Sequence, residues 1–216
     1  MMNRLLKFIV GLIYDLGDFF VFLTNSLIHF WYCKRRYYKF FQSIYDIGFR
    51  CIIIIIIVGL FTGMVMGLQM YYTLIKFGAS SALGTVVSLS IVRELGPVLT
   101  ALMIIGQSGS SLTSEIAIMR NNEQIDALKS MGINPLGYIC GPKIYAALIS
   151  FPILTTFFDL IGIFGGYFSV AILLGIEGDV FWNKAFNSLE FIDLYGGYIK
   201  SFIFALLSIA ICTYEG

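Results

Sequence analysis

Ionisable side chains are scarce in this chain. Of its 216 residues only 12% are charged, whereas 58% are hydrophobic, and a soluble domain usually carries roughly a quarter charged residues. No soluble core could bury so large an apolar excess, so the composition predicts a polytopic membrane protein. The net charge of +1 gives no overall basic character, and a nucleic-acid partner is therefore not expected.

The residue types that carry most catalytic chemistry are also rare. His29 is the single histidine, and Cys33, Cys51, Cys140 and Cys212 are scattered without a CxxC spacing. A Cys/His metal site is therefore not expected, and the cysteines are interpreted as small buried hydrophobes. The sequence contains no GxxxxGK[ST] loop, so ATP hydrolysis would require a separate chain. It also lacks an evident nucleophile–base pair, so the chain is not expected to be an enzyme.

Four apolar stretches are long enough to cross a membrane as helices, which takes about 20 residues. They cover residues 51–73, 83–107, 143–174 and 196–214. The third is longer than one crossing requires, so it is either tilted or partly outside the membrane. The expected fold class is all-α, with one membrane domain over residues 1–216.

Residues 1–31 differ from these stretches because charges interrupt them. Apolar residues recur there at helical spacing, at Leu5, Phe8, Leu12, Leu16, Phe19 and Leu23. This pattern predicts an amphipathic helix lying at the membrane surface. A cleaved signal peptide is the alternative, but Asp15 and Asp18 interrupt its hydrophobic region and no small-residue cleavage site follows.

Basic residues before the first span predict the orientation. They are Lys34, Arg35, Arg36, Lys39 and Arg50, whereas the 175–195 loop is acidic. Cytoplasmic loops carry an excess of Lys and Arg. Both ends of the four-span chain and the 108–142 connection are therefore expected on the cytoplasmic side.

Glycines recur every fourth residue in two spans. They form two overlapping GxxxG spacings at Gly59, Gly63 and Gly67, and another at Gly162 and Gly166. Such spacings let helix backbones approach closely. We expect these five glycines to form helix-packing faces.

The segment 114–135 is the least membrane-like stretch between spans. Its apolar stripe and its opposite charges three residues apart, Arg120–Glu123 and Asp126–Lys129, predict a helix over 114–131. Gly132 suits the residue just after the helix end. The helix is either a solvated connection or a docking element for a cytoplasmic partner.

Arg93 and Glu94 lie side by side within the second apolar stretch. Adjacent helical residues point about 100° apart, so the two side chains cannot simply face each other. Each could pair with a neighbouring helix or with water. Alternatively, the second span faces a cavity where one or both meet a ligand. Pro97 follows and should loosen the helix there.

Several motifs in one order and spacing resemble the MlaE-type permease family. They are RELGP, the G-x-x-GS turn, E-x-x-x-MR-x-x-EQIDAL, MG-x-x-P and the later GI-x-GG, within a similarity that runs from about residue 45 to 214. These permeases are membrane subunits of ABC transporters that work with MCE-domain proteins on lipids.

The resemblance implies an inner-membrane homodimer with five spans in each copy. Cytoplasmic ATPase subunits, which bind ATP and Mg²⁺, would dock on the helix between the second and third spans. A periplasmic MCE-domain protein and a STAS-domain protein are the other implied partners, and this chain itself would bind no cofactor. The implied function is movement of phospholipids between membranes, in lipid trafficking or in maintaining outer-membrane lipid asymmetry.

The same resemblance assigns residues to two sites. Coupling to the ATPase falls on Glu115, Met119, Arg120, Glu123 and Asp126. A lipid site between two permease copies would use apolar residues for acyl chains and Arg for phosphate. Its candidates are Leu68, Gln69, Tyr71, Leu74, Leu89, Val92, Arg93 and Glu94.

The chain departs from the family pattern in three respects. Gln107 stands where the family usually has Arg, and Asn121 and Asn122 replace small or β-branched residues. Relatives also continue past ICTYEG with a glycine-rich loop and a fifth span, so the chain is expected to be a fragment or a truncated product.

A secondary transporter or channel that needs no ATPase is the alternative function. Charges buried in a span also mark ion pathways. The intramembrane ionisable set available for one is small, namely Arg93, Glu94 and Asp159.

Overall fold

The computed structural model describes residues 11, 14–15, 17–26, 28, 37–173, 175 and 178–215. Every regular element in these ranges is helical, which confirms the all-α fold class. Four helices in the described ranges are long and apolar enough to cross a membrane. We call them the first to fourth spans: Tyr38–Phe77, Leu83–Asn121, Leu136–Ile172 and Phe191–Glu215.

Each span is longer than the apolar stretch that predicted it. The second span shows why, because it continues as helix from the apolar 83–107 stretch through the polar residues up to Asn121. Hydropathy marks where a helix can lie in lipid, whereas the backbone stays helical until a residue breaks it.

Short π-helical turns interrupt the spans. The α-helical pieces are Tyr37–Ile44, Arg50–Leu74, Leu83–Ser90, Gly96–Ile104, Ser110–Asn121, Gln124–Ser130, Gly141–Tyr167, Gly178–Asn187 and Phe191–Glu215. Among the π turns, Tyr45–Phe49 and Ile105–Gly109 face each other. Ser108 Oγ donates to the carbonyl of Asp46 at 3.1 Å, so a side chain of one turn bonds the backbone of the other.

The first and third spans form the closest helix pair. Gly63 packs on the backbone of Gly162, and Gly67 lies against Gly166 and Ser169. The absence of side chains at these glycines lets the two helices approach to backbone contact. The glycines that the sequence assigns to helix packing thus lie face to face.

The buried core runs along the seams between the spans. Its largest fully buried side chains include Phe151 and Phe158 of the third span and Ile91 and Ile104 of the second. Many large apolar side chains on the outer faces stay exposed, such as Ile53 and Phe61 of the first span. An apolar exterior of this kind is suited to lipid.

The predicted interfacial helix over 1–31 lies partly outside the described residues, which omit 1–10, 12–13, 16, 27 and 29–31. Residues 17–26 are helical. Phe19 and Phe22 pack edge-on against Tyr214, with ring centroids 5.6 and 5.5 Å apart. This segment therefore lies against the carboxyl end of the fourth span.

Two features of the connections differ from the sequence-based expectation. The helix predicted over 114–131 is divided, because Asn122 and Glu123 leave helical geometry and Glu123 adopts φ +56°. The acidic 175–195 loop contains an unpredicted helix, Gly178–Asn187, whose Phe181 carbonyl lies against Gly84 at the start of the second span.

Candidate functional site

The charged pair Arg93–Glu94 lies in a π-helical turn, Ile91–Leu95, near the middle of the apolar 83–107 stretch that begins the second span. The N–H of Gly96 bonds to the carbonyl of Ile91 instead of to that of Val92. Pro97 follows and has no N–H to offer. The carbonyls of Val92 and Arg93 therefore both lack their usual α-helical donor.

The side chain of Arg93 is held by the fourth span. Arg93 Nε donates to Asp193 Oδ1 at 2.6 Å, and Nη2 contacts the same oxygen. The other oxygen of Asp193 accepts the N–H of Glu190 at 3.3 Å, as a carboxylate in the first helical turn commonly does. Asp193 is 3% exposed, whereas 53% of the Arg93 side chain remains exposed.

The backbone of the π turn is held by the same helix. Lys200 Nζ donates to the carbonyl of Arg93 at 2.7 Å. A methyl group on Gly197 would lie 2.8 Å from the Val92 carbonyl oxygen, so the two backbones touch there. Asp193, Gly197 and Lys200 follow each other at spacings of four and three, which places them on one helix face.

Sequence reasoning did not pair these fourth-span residues with the second span. The i, i+4, i+7 spacing of Asp193, Gly197 and Lys200 is the signal that could have found the face. It does not name the partner helix, because only the folded chain brings residue 93 next to residues 193 and 200.

The structure separates the roles of the two adjacent charges. Arg93 pairs with a neighbouring helix, which is one of the two alternatives that the sequence left open. Glu94 is exposed and has no ion-pair partner within the described ranges. Nη1 of Arg93 likewise has no partner in this part of the chain. Both residues therefore present unused polar atoms outward.

The remaining candidate lipid residues do not share one environment. Val92 is 2% exposed and belongs to the core, so it packs between helices instead of lining a surface. Tyr71 and Leu74 are partly buried against the same core. Leu68 and Leu89 are also partly buried, and Gln69 is exposed.

Asp159 of the third span lies on the other side of the π turn. Its Oδ1 is buried without a hydrogen-bond partner among the described residues. It also lies against Gly96, where any side chain would collide with it. Gly96 thus makes room for a carboxyl group at the crossing of the second and third spans.

Two ion pairs and a sharp bend shape the region where the second span leads into the third. Lys143 Nζ donates to Glu115 Oε2 at 2.7 Å, and Lys129 Nζ to Asp126 Oδ1 at 3.0 Å. Glu123 occupies the left-handed region and makes no side-chain cap bond. The predicted Arg120–Glu123 pair is not formed because this bend takes Glu123 out of the helix.

The helix Gln124–Ser130 ends as the sequence predicts. Gly132 adopts φ +74°, its N–H bonds to the Lys129 carbonyl, and the Ile133 N–H bonds to the Leu128 carbonyl. This is the Schellman arrangement of a helix C-terminus. The prediction for Gly132 is confirmed.

A cavity of about 660 Å³ lies beside this segment. Its lining includes apolar Ile116, Ile125, Leu136 and Ile139, with Arg120 and Lys129 among the charged residues. Met119 packs against the small apolar cluster of Ile116, Ile139 and Cys140 next to it. Of the five residues assigned to coupling, Glu115 and Asp126 are thus engaged in ion pairs and Arg120 borders the cavity.

Four apolar helices in the described ranges, with an ion pair between two of them, define a polytopic all-α membrane protein. The chain belongs to the MlaE permease family. The family profile, Permease MlaE, matches residues 40–216, which covers all four spans except the first two residues of the first span.

Curated relatives agree with this assignment. The chain is 36% identical over 211 residues to the intermembrane phospholipid transport system permease protein MlaE of Haemophilus influenzae, covering 97% of this chain and 81% of that protein. It is 38% identical over 170 residues to a probable ABC transporter permease protein of Rickettsia felis, covering 79% and 66%. A probable ABC transporter permease protein of Porphyra purpurea is 37% identical over 166 residues, covering 77% and 63%.

Proposed function

We propose that this chain is the membrane subunit of an ABC transporter that moves phospholipids, energised by a separate ATPase that binds ATP and Mg²⁺. The names of the Haemophilus and Rickettsia relatives support the lipid and ABC parts of this proposal. Within the chain, one observation carries it: a half-exposed arginine held in place within the apolar part of a membrane span.

The argument from Arg93 is energetic. A charge inside the bilayer costs up to about 2.5–3.5 kcal/mol on insertion scales, the value for the bilayer centre, so it is retained where it has a partner. Asp193 binds Nε and Nη2 of Arg93, which leaves Nη1 free to bind a ligand from outside this chain. A guanidinium offers paired donors that fit phosphate oxygens, and a phospholipid headgroup supplies such oxygens.

The apolar surroundings suit the rest of a lipid. The first-span residues assigned to the lipid site, such as Leu68, Tyr71 and Leu74, are only partly buried within one chain. We propose that two copies form a homodimer whose first and second spans enclose the acyl chains. Glu94 and Gln69 would then be polar residues of the same cavity wall.

The ATPase would dock on the segment from Ser114 to Met131. Its bend at Glu123 and its ion pair to Lys143 give it a defined shape at one end of the bundle. Movement of this segment would be passed directly to the second span, with which it is continuous. We propose that the chain lies in an inner membrane, with this segment and the N-terminal side of the chain facing the cytoplasm. An MCE-domain protein at the other end and a STAS-domain protein on the ATPase complete the proposed assembly.

The test is ATP-dependent transfer of a fluorescent phospholipid from proteoliposomes that contain the chain with its co-purified ATPase. Arg93→Gln should reduce transfer about tenfold or more, the ratio for loss of one charge-assisted hydrogen bond. Glu94→Gln removes a charge from the proposed cavity wall and should also reduce transfer, but by less. Lys184→Gln, an exposed lysine of the Gly178–Asn187 helix, serves as the matched control.

Two outcomes would contradict the proposal. Full lipid transfer by both Arg93→Gln and Glu94→Gln would reject the assigned lipid site. Substrate flux that is the same with and without ATPase and ATP would instead support a secondary transporter or channel.

A further inference from the structure

The fourth span supplies a hydrogen bond that Pro97 removes from the second. In an α-helix the N–H of residue 97 would bond to the carbonyl of residue 93, but proline has no N–H. Lys200 Nζ donates to that Arg93 carbonyl at 2.7 Å. An unpaired carbonyl is especially costly in lipid, where no water can replace the missing donor.

We propose that Lys200 is a positioning residue that substitutes for the missing backbone donor and thereby holds the Ile91–Leu95 turn open with Arg93 facing outward. The consequence for transport rests on the function proposed above, whereas the hydrogen-bond substitution itself does not.

The neighbouring contacts favour this role over a simple ion pair. Asp193 already binds the Arg93 side chain, so the fourth span holds both the side chain and the backbone of one residue. Gly197, between them on the same face, lets the Val92 carbonyl approach the helix backbone. The two carbonyls that lost their α-helical donors are therefore the two that face the fourth span.

Lys200 could instead act as a direct ligand for an anionic headgroup, since its side chain is long and the residue is exposed. The two roles differ in their dependence on Pro97. A headgroup ligand is needed whichever residue occupies position 97. A substitute donor is needed only while position 97 lacks an N–H.

A double-mutant cycle separates them. Lys200→Met, Pro97→Ala and the double variant are compared in nanodiscs by hydrogen exchange of the amides of residues 91–100. Lys200→Met alone should accelerate exchange about tenfold, the ratio for one hydrogen bond to a charged donor. In the Pro97→Ala background it should change exchange less than about twofold, because an alanine at this position provides the helical donor.

Controls and contrary outcomes follow from the same cycle. Lys200→Arg, which keeps a cationic donor, should remain near wild type, and Lys184→Met should change nothing in this region. If Lys200→Met cannot be purified, Pro97→Ala should restore its yield. An equal effect of Lys200→Met in both backgrounds, or failure of both variants to fold, would overturn the proposal.

Lipid transfer by Arg93→Gln, measured beside the exchange cycle, keeps the two proposals distinct. Strong coupling between positions 97 and 200 in exchange, together with unimpaired transfer by Arg93→Gln, would leave Lys200 as a positioning residue and reject the lipid site. Loss of transfer by Arg93→Gln without any coupling in exchange would retain the lipid site and reject the role of Lys200.

Discussion

Lys143, buried at the start of the third span, donates to Glu115 Oε2 across a distance of 2.7 Å. The lysine side chain is 8% exposed and the glutamate side chain 48%. The pair connects the extension of the second span to the third span, ahead of the bend at Glu123. Water can solvate Glu115 when Lys143 is removed, but it cannot reach the buried Lys143 when Glu115 is removed.

The first prediction follows from this asymmetry. Glu115→Gln leaves a buried ammonium without its counter-charge, whereas Lys143→Met leaves a carboxylate that water can reach. Removing one partner of a fully buried pair costs about 3–5 kcal/mol, and the loss here should lie below that range because Glu115 is half-exposed. Thermal unfolding in detergent should therefore show the larger decrease in Tm for Glu115→Gln.

The exposed pair Asp126–Lys129 provides the control for that prediction. Both side chains are mostly solvated, and surface pairs contribute about 0–1 kcal/mol. Lys129→Met should leave Tm nearly unchanged. A larger loss from Lys143→Met than from Glu115→Gln would contradict the argument from burial.

The second prediction concerns the glycine contact between the first and third spans. A methyl group on Gly63 would overlap the carbonyl of Gly162, and backbone atoms cannot move aside as a flexible side chain can. Gly63→Ala should destabilise the chain by about 1–3 kcal/mol or more, as overpacking does. Gly106→Ala, where the added methyl group would meet nothing within 4 Å apart from its chain neighbours and its own helix backbone, should be neutral or stabilising. SDS-induced unfolding from mixed micelles measures both, and equal losses would argue against the close approach.

The third prediction uses two adjacent glycines of the fourth span. Gly197→Ala should push this span away from the Val92 carbonyl, whereas Gly196 has open space around it. Gly197→Ala should therefore lower Tm and weaken the Arg93–Asp193 contact, and Gly196→Ala should gain up to about 1 kcal/mol of helix propensity. A cysteine pair introduced at other positions of the second and fourth spans would report their separation by crosslinking yield. Similar yields in the two variants would contradict the predicted displacement.

The fourth prediction tests the left-handed residues around the Gln124–Ser130 helix. Glu123 has φ +56° and Gly132 has φ +74°, a region that costs a residue with a Cβ about 1–2 kcal/mol. Glu123→Gly should stabilise the folded chain by up to about 1 kcal/mol, and Gly132→Ala should destabilise it by about that amount or more. Changes of opposite sign in the free energy of unfolding are expected. Stabilisation by Gly132→Ala would show that the helix does not end at this turn.

The sequence pattern predicted part of the connection between the second and third spans. It located the helix end at Gly132, because glycine at a left-handed position is a local requirement. It missed the break at Glu123, where neither glycine nor proline marks the bend and where the spacing of Arg120 and Glu123 favours an unbroken helix. Asn121 and Asn122 precede the bend, and asparagine favours turns over helix interiors, but this preference does not single out Glu123 as the left-handed residue.

The charged pair in the second span shows the same division. Its position, and the proline that removes a backbone donor four residues after Arg93, are visible in the sequence. Asp193 and Lys200, which bind the side chain and the carbonyl of Arg93, lie about a hundred positions further along the chain. No spacing rule connects positions that far apart.

By itself, the amino-acid sequence determined the membrane class, the helical spans, the glycines able to pack closely and the family, since these depend on hydropathy, side-chain size and ordered motifs. The tertiary structure alone decided that Asp193 binds the Arg93 side chain, that Lys200 donates to the Arg93 carbonyl that Pro97 leaves without a donor, and that Val92 is buried between helices. These outcomes depend on which helix faces lie together, and that arrangement arises only when the whole chain packs.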